Sequence, residues 1–228
     1  MKASILTPFH RKVLRIFASL EESRAFYFTG AMALSAYHLQ HRVSQDIDIF
    51  CPEENLIPIV ARKLTSALEQ EGVRVEIVRS FGSFWEAVLK EGDDSIRLQL
   101  AYDTPFHLAE FSERGGIRVH SLDDLAAGKL LALFSRAEER DFIDVYFLVK
   151  EKGYTVDRLI ELAGKKDPGL DEYYLALAFE QVDRLPDNID GLRLDLLRDI
   201  DLKELKAFFK SQAVALLRRK LNRPESPG

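Results

Sequence analysis

Hydrophobic residues recur along the first half of the chain with two different spacings. Residues 8–20 have the period of a helix, with apolar side chains at Phe9, Val13, Ile16, Phe17 and Leu20. Shorter apolar or alternating runs predict strands over 25–29, 45–50, 73–79, 83–90 and 95–102. Helices are predicted between the strands, over 31–40 and 55–72. Together these elements indicate a mixed α/β fold.

The second half of the chain has a different pattern. Residues 104–118, which contain Pro105 and the Gly115-Gly116 pair, show little periodicity and are predicted to be a connector. A long helical pattern follows from Ser121, and amphipathic helices are predicted over 156–163, 170–182 and 202–221. We therefore expect an α/β domain over residues 1–118 and an all-helical domain over residues 119–228.

Composition and charge narrow the class of protein. A chain of 228 residues with 46% hydrophobic content has enough apolar side chains for one sizeable core or two small ones. The single cysteine, Cys51, excludes an internal disulfide framework and a cysteine-rich zinc site. Neither a signal peptide nor a membrane-length apolar run is seen, so we expect a soluble cytoplasmic protein. The net charge of −5 gives no overall attraction to nucleic acid, so RNA would have to bind a local patch.

The strand predicted over 45–50 carries two carboxylates on one face. Side chains alternate along a strand, so Ile47 and Ile49 point into a core while Asp46 and Asp48 point the other way. The two acids would be about 6–7 Å apart along the backbone. Oxygen ligands of this kind suit magnesium, or a metal pair for phosphoryl or nucleotidyl transfer. By itself an Asp-x-Asp pair is also ordinary on the exposed face of a strand.

A glycine turn precedes this acidic strand. Aromatic residues 26–28 suit a buried strand, Gly30 ends it, and the following residues favour a helix. Backbone N–H groups at the start of a helix bind phosphate well. Gly30, a helix and then Asp46-Ile47-Asp48 about sixteen residues later form a much more specific pattern than either feature alone. His41 and Arg42 lie before the strand and suit either a phosphate contact or a solvated basic turn.

A second block of polar residues begins at Ser121. Ser121 is a good helix N-cap, and Asp124 follows three residues later as an acidic cap partner. If one helix continues through the block, Lys129, Arg136 and Arg140 lie within about 20° of one another around its axis, with Asp144 about 60° away. Exposure to solvent, or ion pairs with nearby glutamates, would explain the presence of the two arginines equally well. A lysine in an apolar run is costly unless it opens onto a cleft.

The two blocks together resemble a known family. Gly-x-x-Ala-Leu-Ser…His-Arg-x-Ser-x-Asp-Ile-Asp-Ile-Phe and Asp-Leu-x-x-x-Lys-Leu-x-Ala-Leu…Arg-Asp-x-x-Asp-x-Tyr are similar to the motifs of the AbiEii-type nucleotidyltransferase toxins, in the DNA polymerase β-like superfamily. The resemblance spans roughly residues 26–149. It implies a mixed-sheet nucleotidyltransferase core followed by an all-helical domain, with the active site in the cleft between them.

The resemblance also implies roles for particular residues. Asp46 and Asp48 would hold Mg²⁺ or Mn²⁺, Lys129 would contact the nucleotide phosphates, and Asp141 or Asp144 would act as base or orienting acid. The remaining residues expected to bind the nucleotide are Thr29, Gly30, Ala31, Ser44, Arg136 and Arg140.

The implied activity is metal-dependent transfer of a nucleoside monophosphate from a nucleoside triphosphate to an acceptor hydroxyl. By resemblance, the acceptor is the 3′ end of a tRNA, the protein is a toxin, and a separate antitoxin is its partner. Two alternatives stay open: a transferase acting on a small molecule or a protein, and a catalytically weakened nucleotide-binding module of the same fold.

Two departures from the family pattern motivate the last alternative. The family has Gly-Gly or Gly-Ser where this chain has Gly30-Ala31. The superfamily often has a third carboxylate on the neighbouring strand, at about the position of Gln99, and a neutral amide is a poor metal ligand. Either two acids suffice, or Asp103 or Glu76 assists, or the chain is catalytically weakened.

Overall fold

The computed structural model describes residues 5–222. Eight α-helices are found among these residues: α1 (Pro8–Ala18), α2 (Gly30–Leu34), α3 (Leu56–Gln70), α4 (Leu122–Arg136), α5 (Glu139–Lys152), α6 (Val156–Lys166), α7 (Glu172–Glu180) and α8 (Leu202–Asn222). Short 3₁₀ segments cover Glu21–Ala25, Gln181–Arg184 and Ile189–Gly191. No helix in this part of the chain combines the length and apolar content needed to cross a bilayer.

One mixed sheet of seven strands is found in the same residues. The strands are β1 (Tyr27–Thr29), β2 (Asp46–Cys51), β3 (Arg74–Phe81), β4 (Phe84–Glu91), β5 (Asp94–Tyr102), β6 (Ser112–Arg114) and β7 (Ile117–Val119). Their order across the sheet is β3-β4-β5-β2-β1-β7-β6. β2 pairs parallel with β5, β1 pairs parallel with β7, and the other neighbours are antiparallel. The expected mixed-sheet core followed by a helical segment is confirmed.

One face of the sheet lines the hydrophobic core of the first half of the chain. Ile47 and Ile49 of β2 are fully buried, and so are Leu98 and Leu100 of β5. Helix α3 packs on strands β3, β4 and β5 and also on α1. The side chains at alternate positions of β2 are only half-buried, so the predicted division of this strand into an apolar and an acidic face is confirmed.

The first helix begins as the sequence predicts. Thr7 is the N-cap of α1, with its hydroxyl accepting a hydrogen bond from the backbone N–H of His10, and Pro8 occupies the first turn. Proline is tolerated there because the N–H that it lacks would have no partner within the helix. The helix predicted over 31–40 begins at Gly30 and changes to π-helical geometry over Ser35–Leu39, and it ends at Gln40 in a left-handed conformation.

The expected connector over 104–118 is partly wrong, because it contains a β-hairpin. β6 and β7 pair antiparallel around Gly115 and Gly116, both of which have positive φ. β7 then extends the sheet beside β1. The pattern is missed in the sequence because three-residue strands are too short to show alternation, whereas the glycine pair that permits the turn is visible.

The condition that one helix continues from Ser121 through the whole block is not met. α4 ends at Arg136, Ala137 has φ +48°, and α5 begins at Glu139. Glu138 caps α5 in a reciprocal capping box with Asp141. Because the axis is interrupted, Lys129, Arg136 and Arg140 cannot form a single helical stripe.

The chain divides into two compact units between Leu125 and Ala126. The sheet lies in the first unit. In the second unit, α7 packs closely on α8, and Phe209 of α8 makes edge-to-face contacts with Phe142 and Phe179. This aromatic cluster forms part of a separate helical core.

Candidate functional site

The two carboxylates of β2 project from the face of the sheet opposite the hydrophobic core. Asp46 and Asp48 are half-buried, while Ile47 and Ile49 between and beyond them are fully buried. The side chains of Asp46 and Asp48 therefore retain contact with solvent on one side of the strand. Two oxygen ligands at alternate positions of a strand suit a hard divalent cation such as Mg²⁺.

Gly30 lies directly against Asp48. The antiparallel register pairs Thr29 of β1 with Asp48, which brings the start of α2 over the carboxylate. Gly30 has φ +73°, and a Cβ atom added to it would lie 1.9 Å from Oδ2, 2.8 Å from Cγ and 2.9 Å from Cβ of Asp48. The space of a side chain at position 30 is thus occupied by the carboxylate. This close approach joins the glycine turn and the acidic strand into one site.

The acidic row continues across the neighbouring strands. Asp48 is paired with Gln99 of β5, and Gln99 is paired with Glu86 of β4. Directly paired residues share a face of the sheet, so the three side chains lie in one row. The position next to Asp48 is therefore occupied by an amide, and the next carboxylate in the row belongs to Glu86, which sequence reasoning missed.

Glu86 is completely buried although both of its partners are near the surface. It accepts hydrogen bonds from Nε of Arg79 and from Nη1 of Arg97, each at 2.6 Å. The hydrogen bond from Arg79 and, secondarily, that from Arg97 hold the pKa of the Glu86 carboxyl below its usual value. Glu86 therefore stays ionised and anchors two arginines on the acidic face of the sheet.

The other two acids suggested as substitutes for a third carboxylate have different surroundings. Asp103, just beyond β5, accepts a 2.6 Å hydrogen bond from the buried hydroxyl of Tyr27. Burial and this hydrogen bond raise the pKa of Tyr27, so the phenol stays protonated. Glu76 lies on the edge strand β3 and pairs with Arg74 and Lys90. Neither acid belongs to the row of Asp48 and Gln99.

The remaining residues predicted to bind nucleotide in the first unit are Thr29, Ala31 and Ser44. The hydroxyl of Thr29 is 2.8 Å from Nδ1 of His120. Ala31 is half-buried in the first turn of α2, and Ser44 is buried just before β2. His41 and Arg42 are also buried, so the interpretation of these two residues as a solvated basic turn is wrong.

The residues predicted in the second unit form ion pairs, and the pair of Lys129 with Asp144 is buried. Nζ of Lys129 is 2.8 Å from Oδ2 of Asp144. Lys129 is 7% exposed and Asp144 is fully buried. Removing either partner of such a pair is costly, because it leaves an uncompensated charge in a low-dielectric environment.

Arg136 and Arg140 stabilise the junction between α4 and α5. Nε and Nη2 of Arg136 each donate to a different oxygen of Asp141 at 2.8 Å, and this bonding raises the pKa of Arg136. Asp141 is fully buried and also accepts from the backbone N–H of Glu138 at 3.3 Å. Arg140 pairs with Glu138 at 2.7 Å. The structure thus places both arginines at the turn, where they contact acids of the same turn.

Comparison with protein families gives a match over nearly the whole chain. Residues 12–223 match the family described as the nucleotidyl transferase AbiEii toxin of a type IV toxin–antitoxin system. The match includes both motifs quoted above. Among curated protein sequences, no match to the chain was found.

Three solved structures with the same fold come from two bacteria. A protein from H. pylori, solved as a candidate nucleotidyltransferase, is 21% identical, with 95% of this chain and 97% of that chain covered and a TM-score of 0.61. JHP933 from Helicobacter pylori is 19% identical, with 92% and 91% covered and a TM-score of 0.59. MenT4, a nucleotidyltransferase toxin from Mycobacterium tuberculosis, is 16% identical, with 92% and 82% covered and a TM-score of 0.53. At these identities the similarity is one of fold.

Proposed function

We propose that this chain, which belongs to the AbiEii family of nucleotidyltransferase toxins, transfers a nucleoside monophosphate from a nucleoside triphosphate to an acceptor hydroxyl. The observation that carries the proposal is the contact between the Gly30 turn and the half-buried carboxylate of Asp48, with Asp46 on the same strand face. A phosphate-binding turn directly beside two hard oxygen ligands is what metal-assisted nucleotidyl transfer requires.

The donor set of β2 fits a magnesium ion. Asp46 and Asp48 offer carboxylate oxygens on one strand face, and both side chains keep contact with solvent, so the ion can retain water ligands. Bound there, Mg²⁺ neutralises negative charge on the triphosphate of the substrate. The chain itself supplies the orientation of the two carboxylates, which the paired strands β1 and β5 hold on either side of β2.

The remaining roles follow from the family motifs and from local chemistry. The backbone N–H groups that follow Gly30 bind phosphate at the start of α2. Lys129 places a positive charge beside the pyrophosphate leaving group. This lowers the barrier if the negative charge on the leaving group grows in the transition state. Asp144 holds the ammonium of Lys129 through its 2.8 Å contact and thereby orients it. Residues 1–118 form the catalytic core in this scheme, and residues 119–228 contribute the helix that bears Lys129.

The acceptor that we propose is the 3′ end of a tRNA, and a separate antitoxin is the physiological partner. The family description as the toxin of a type IV toxin–antitoxin system supports the second part of this proposal. MenT4, which has the same fold, is itself a nucleotidyltransferase toxin, in agreement with the proposed type of reaction.

A labelling experiment tests the reaction and the acceptor together. The purified protein is incubated with Mg²⁺ and each of the four labelled nucleoside triphosphates in turn, with total tRNA as acceptor. We expect label from at least one nucleotide to enter RNA, and chelation of the metal to abolish the transfer. Label entering the protein or a small metabolite would identify the acceptor as a different one. Nucleotide binding without turnover would overturn the assignment as an enzyme.

A matched pair of variants locates the reaction. Asp46→Asn removes a proposed metal ligand, whereas Asp93→Asn makes the same chemical change at an exposed turn acid between β4 and β5. We expect transfer to be lost in the first variant and retained in the second, with both melting near the temperature of the parent. Equal activity in the two variants would contradict a role for Asp46.

A further inference from the structure

Three side chains that the proposed reaction does not use come together at the other edge of the sheet. His107 lies in the loop between β5 and β6, His120 directly follows β7, and Asp124 lies in the first turn of α4. One ligand atom of each residue lies within 4.8 Å of the others. His107 is half-buried, while His120 and Asp124 are buried. All three belong to the first unit.

The two imidazoles already have the spacing of ligands to one ion. Nδ1 of His107 is 3.2 Å from Nε2 of His120. Two nitrogens bound to the same tetrahedral ion, each at about 2.0–2.1 Å, lie roughly 3.3 Å apart. The carboxylate of Asp124 adds an oxygen to these two nitrogens. Two histidines and one carboxylate form the ligand set that a zinc ion uses when its fourth position is left for water.

The groups around the cluster hold two of its members in position. Nδ1 of His120 is 2.8 Å from the hydroxyl of Thr29. We assign the proton of His120 to Nδ1, since that N–H then donates to Thr29 and leaves the Nε2 lone pair directed at His107. Metal-binding histidines are usually oriented by an outer hydrogen bond of this kind.

Asp124 is held from three sides. Its carboxylate accepts hydrogen bonds from the backbone N–H groups of Leu108 at 3.0 Å and Ala109 at 3.3 Å, and from the hydroxyl of Ser121 at 2.6 Å. The first two bonds tie the loop that carries His107 to the helix that carries Asp124. The three candidate ligands are therefore connected through rigid neighbours and not only through their own contacts.

Aromatic rings enclose the cluster. The ring of Phe111 stacks on His120 with an interplanar angle of 6°, and Tyr27 contacts both imidazoles. An apolar shell of this kind lowers the local dielectric and so strengthens the attraction between an ion and its ligands. Imidazole nitrogens favour zinc and related transition metals over Mg²⁺.

We propose that His107, His120 and Asp124 bind one Zn²⁺ ion, or a related divalent transition-metal ion, at a site separate from the carboxylates of β2. A bound ion would tie β7, the start of α4 and the loop before β6 to Thr29, which immediately precedes Gly30. The site is thus connected to the proposed nucleotide-binding turn through one hydrogen bond. The binding itself needs no nucleotide and no transfer activity.

Metal binding is measured on tag-free full-length protein that has been treated with a chelator and dialysed. Zn²⁺ is titrated against a competing fluorescent chelator in the presence of excess Mg²⁺, and Co²⁺ is added separately to record the visible absorption of a coordinated ion. We expect one zinc ion per chain and cobalt absorption bands typical of four or five ligands. Substoichiometric zinc with no cobalt bands would overturn the proposal.

Histidine variants show whether the ion is bound at the cluster. His107→Gln should weaken zinc binding by about 100-fold or more, and Thr29→Val, which removes only the outer hydrogen bond, by about 10- to 100-fold. The control is His38→Gln, since His38 is half-buried like His107 but lies in the π-helical segment. His107→Gln changes a loop residue, so circular dichroism and thermal melting should confirm that the variant folds.

A carboxylate variant separates this proposal from the proposed function. Asp48→Asn should abolish nucleotidyl transfer and leave zinc binding unchanged. If zinc binding were lost in Asp48→Asn and kept in His107→Gln, the ion would belong to the β2 carboxylates and the proposal would be wrong. Failure of the labelling experiment alone would leave the expected zinc stoichiometry unaffected.

Discussion

Replacing Gly30 with alanine tests the contact on which the candidate site depends. Gly30 has φ +73°, and the Cβ of an alanine there would lie 1.9 Å from Oδ2 of Asp48. Contacts of a Cβ atom below 3.0 Å are essentially never found in proteins, so the oxygen would have to move by at least about 1.1 Å, the difference between these distances. Rotation of the Asp48 side chain cannot relieve the whole overlap, because its own Cβ would be 2.9 Å away.

The cost of Gly30→Ala has a backbone part and a contact part. An alanine in the left-handed conformation costs about 1–2 kcal/mol. Forcing a side chain into occupied space adds about 1–3 kcal/mol. We therefore expect the free energy of unfolding to fall by roughly 2–5 kcal/mol. Displacement of the carboxylate that we propose to bind the metal ion by about 1 Å should also lower the rate of nucleotidyl transfer by about 100-fold.

Gly72→Ala is the matched control for the backbone part. Gly72 has φ +80°, and a Cβ added there meets no atom within 4 Å. Urea unfolding of both variants, followed by circular dichroism, gives the free energies, and the labelling assay gives the rates for the folded proteins. Gly72→Ala should lose about 1–2 kcal/mol and keep the parental rate of transfer. The excess loss in Gly30→Ala then measures the contact with Asp48.

The contact between Gly30 and Asp48 can also be tested in a protein that lacks the Asp48 side chain. Asp48→Ala removes the two side-chain atoms that a Cβ at position 30 would approach at 1.9 and 2.8 Å. Gly30→Ala should therefore cost less stability in the Asp48→Ala protein than in the parent, because the two changes are coupled. Equal costs of Gly30→Ala and Gly72→Ala in the parent protein would refute the close approach of Gly30 and Asp48.

Three further changes follow from the charges of the two units. Lys129→Met leaves the buried carboxylate of Asp144 without its ammonium partner and should lower the free energy of unfolding, measured by urea titration, by about 3–5 kcal/mol. The double variant Lys129→Met with Asp144→Leu should recover most of this loss. If it does not, the buried charge is not the cause. Arg136→Gln removes a bidentate ion pair with a buried acid and should destabilise by less on the same titration, because the Arg136 side chain is 42% exposed and solvent screens the pair. Glu86→Gln should lower the melting temperature most at neutral pH. The pKa of the Glu86 carboxyl is depressed by Arg79, so ionised Glu86 stabilises the folded protein fully above the ordinary pKa of 4.5. This stabilisation is lost as the pH falls through the folded-state pKa. Thermal melts of parent and variant from pH 7 to pH 3 should therefore converge, and a constant difference would exclude ionisation of Glu86 as the cause.

The sequence predicted the helices and strands that bury one face. It did not predict the features that depend on tertiary contacts. β2 was predictable because Ile47 and Ile49 alternate with acids over a full strand. The end of α4 was not, since alanine has a high helix propensity and yet Ala137 adopts a positive φ. The bidentate contact of Arg136 with Asp141 fixes this turn, and its two partners lie on different helices.

The candidate site was predictable as far as it depends on neighbours along the chain. Gly30 and the acids of β2 belong to one local motif, and the motif correctly placed them near one another. Glu86 was missed because its place in the row depends on the strand order β4-β5-β2, which the spacing of residues does not reveal. The zinc ligands were missed for the same reason, since His107 and His120 lie on either side of an unpredicted hairpin.

The two motifs use their acids in physically different ways. On β2 the carboxylates are half-buried and meet solvent on one side of the strand. In the second motif Asp141 and Asp144 are fully buried and each already holds a cation. A general base must come within hydrogen-bond distance of the hydroxyl that it deprotonates, and a carboxylate with no exposed surface cannot do so while it keeps this arrangement. Of the two roles open to Asp144, we therefore infer that it orients Lys129, and the Lys129→Met and Asp144→Leu variants measure the coupling on which that role depends.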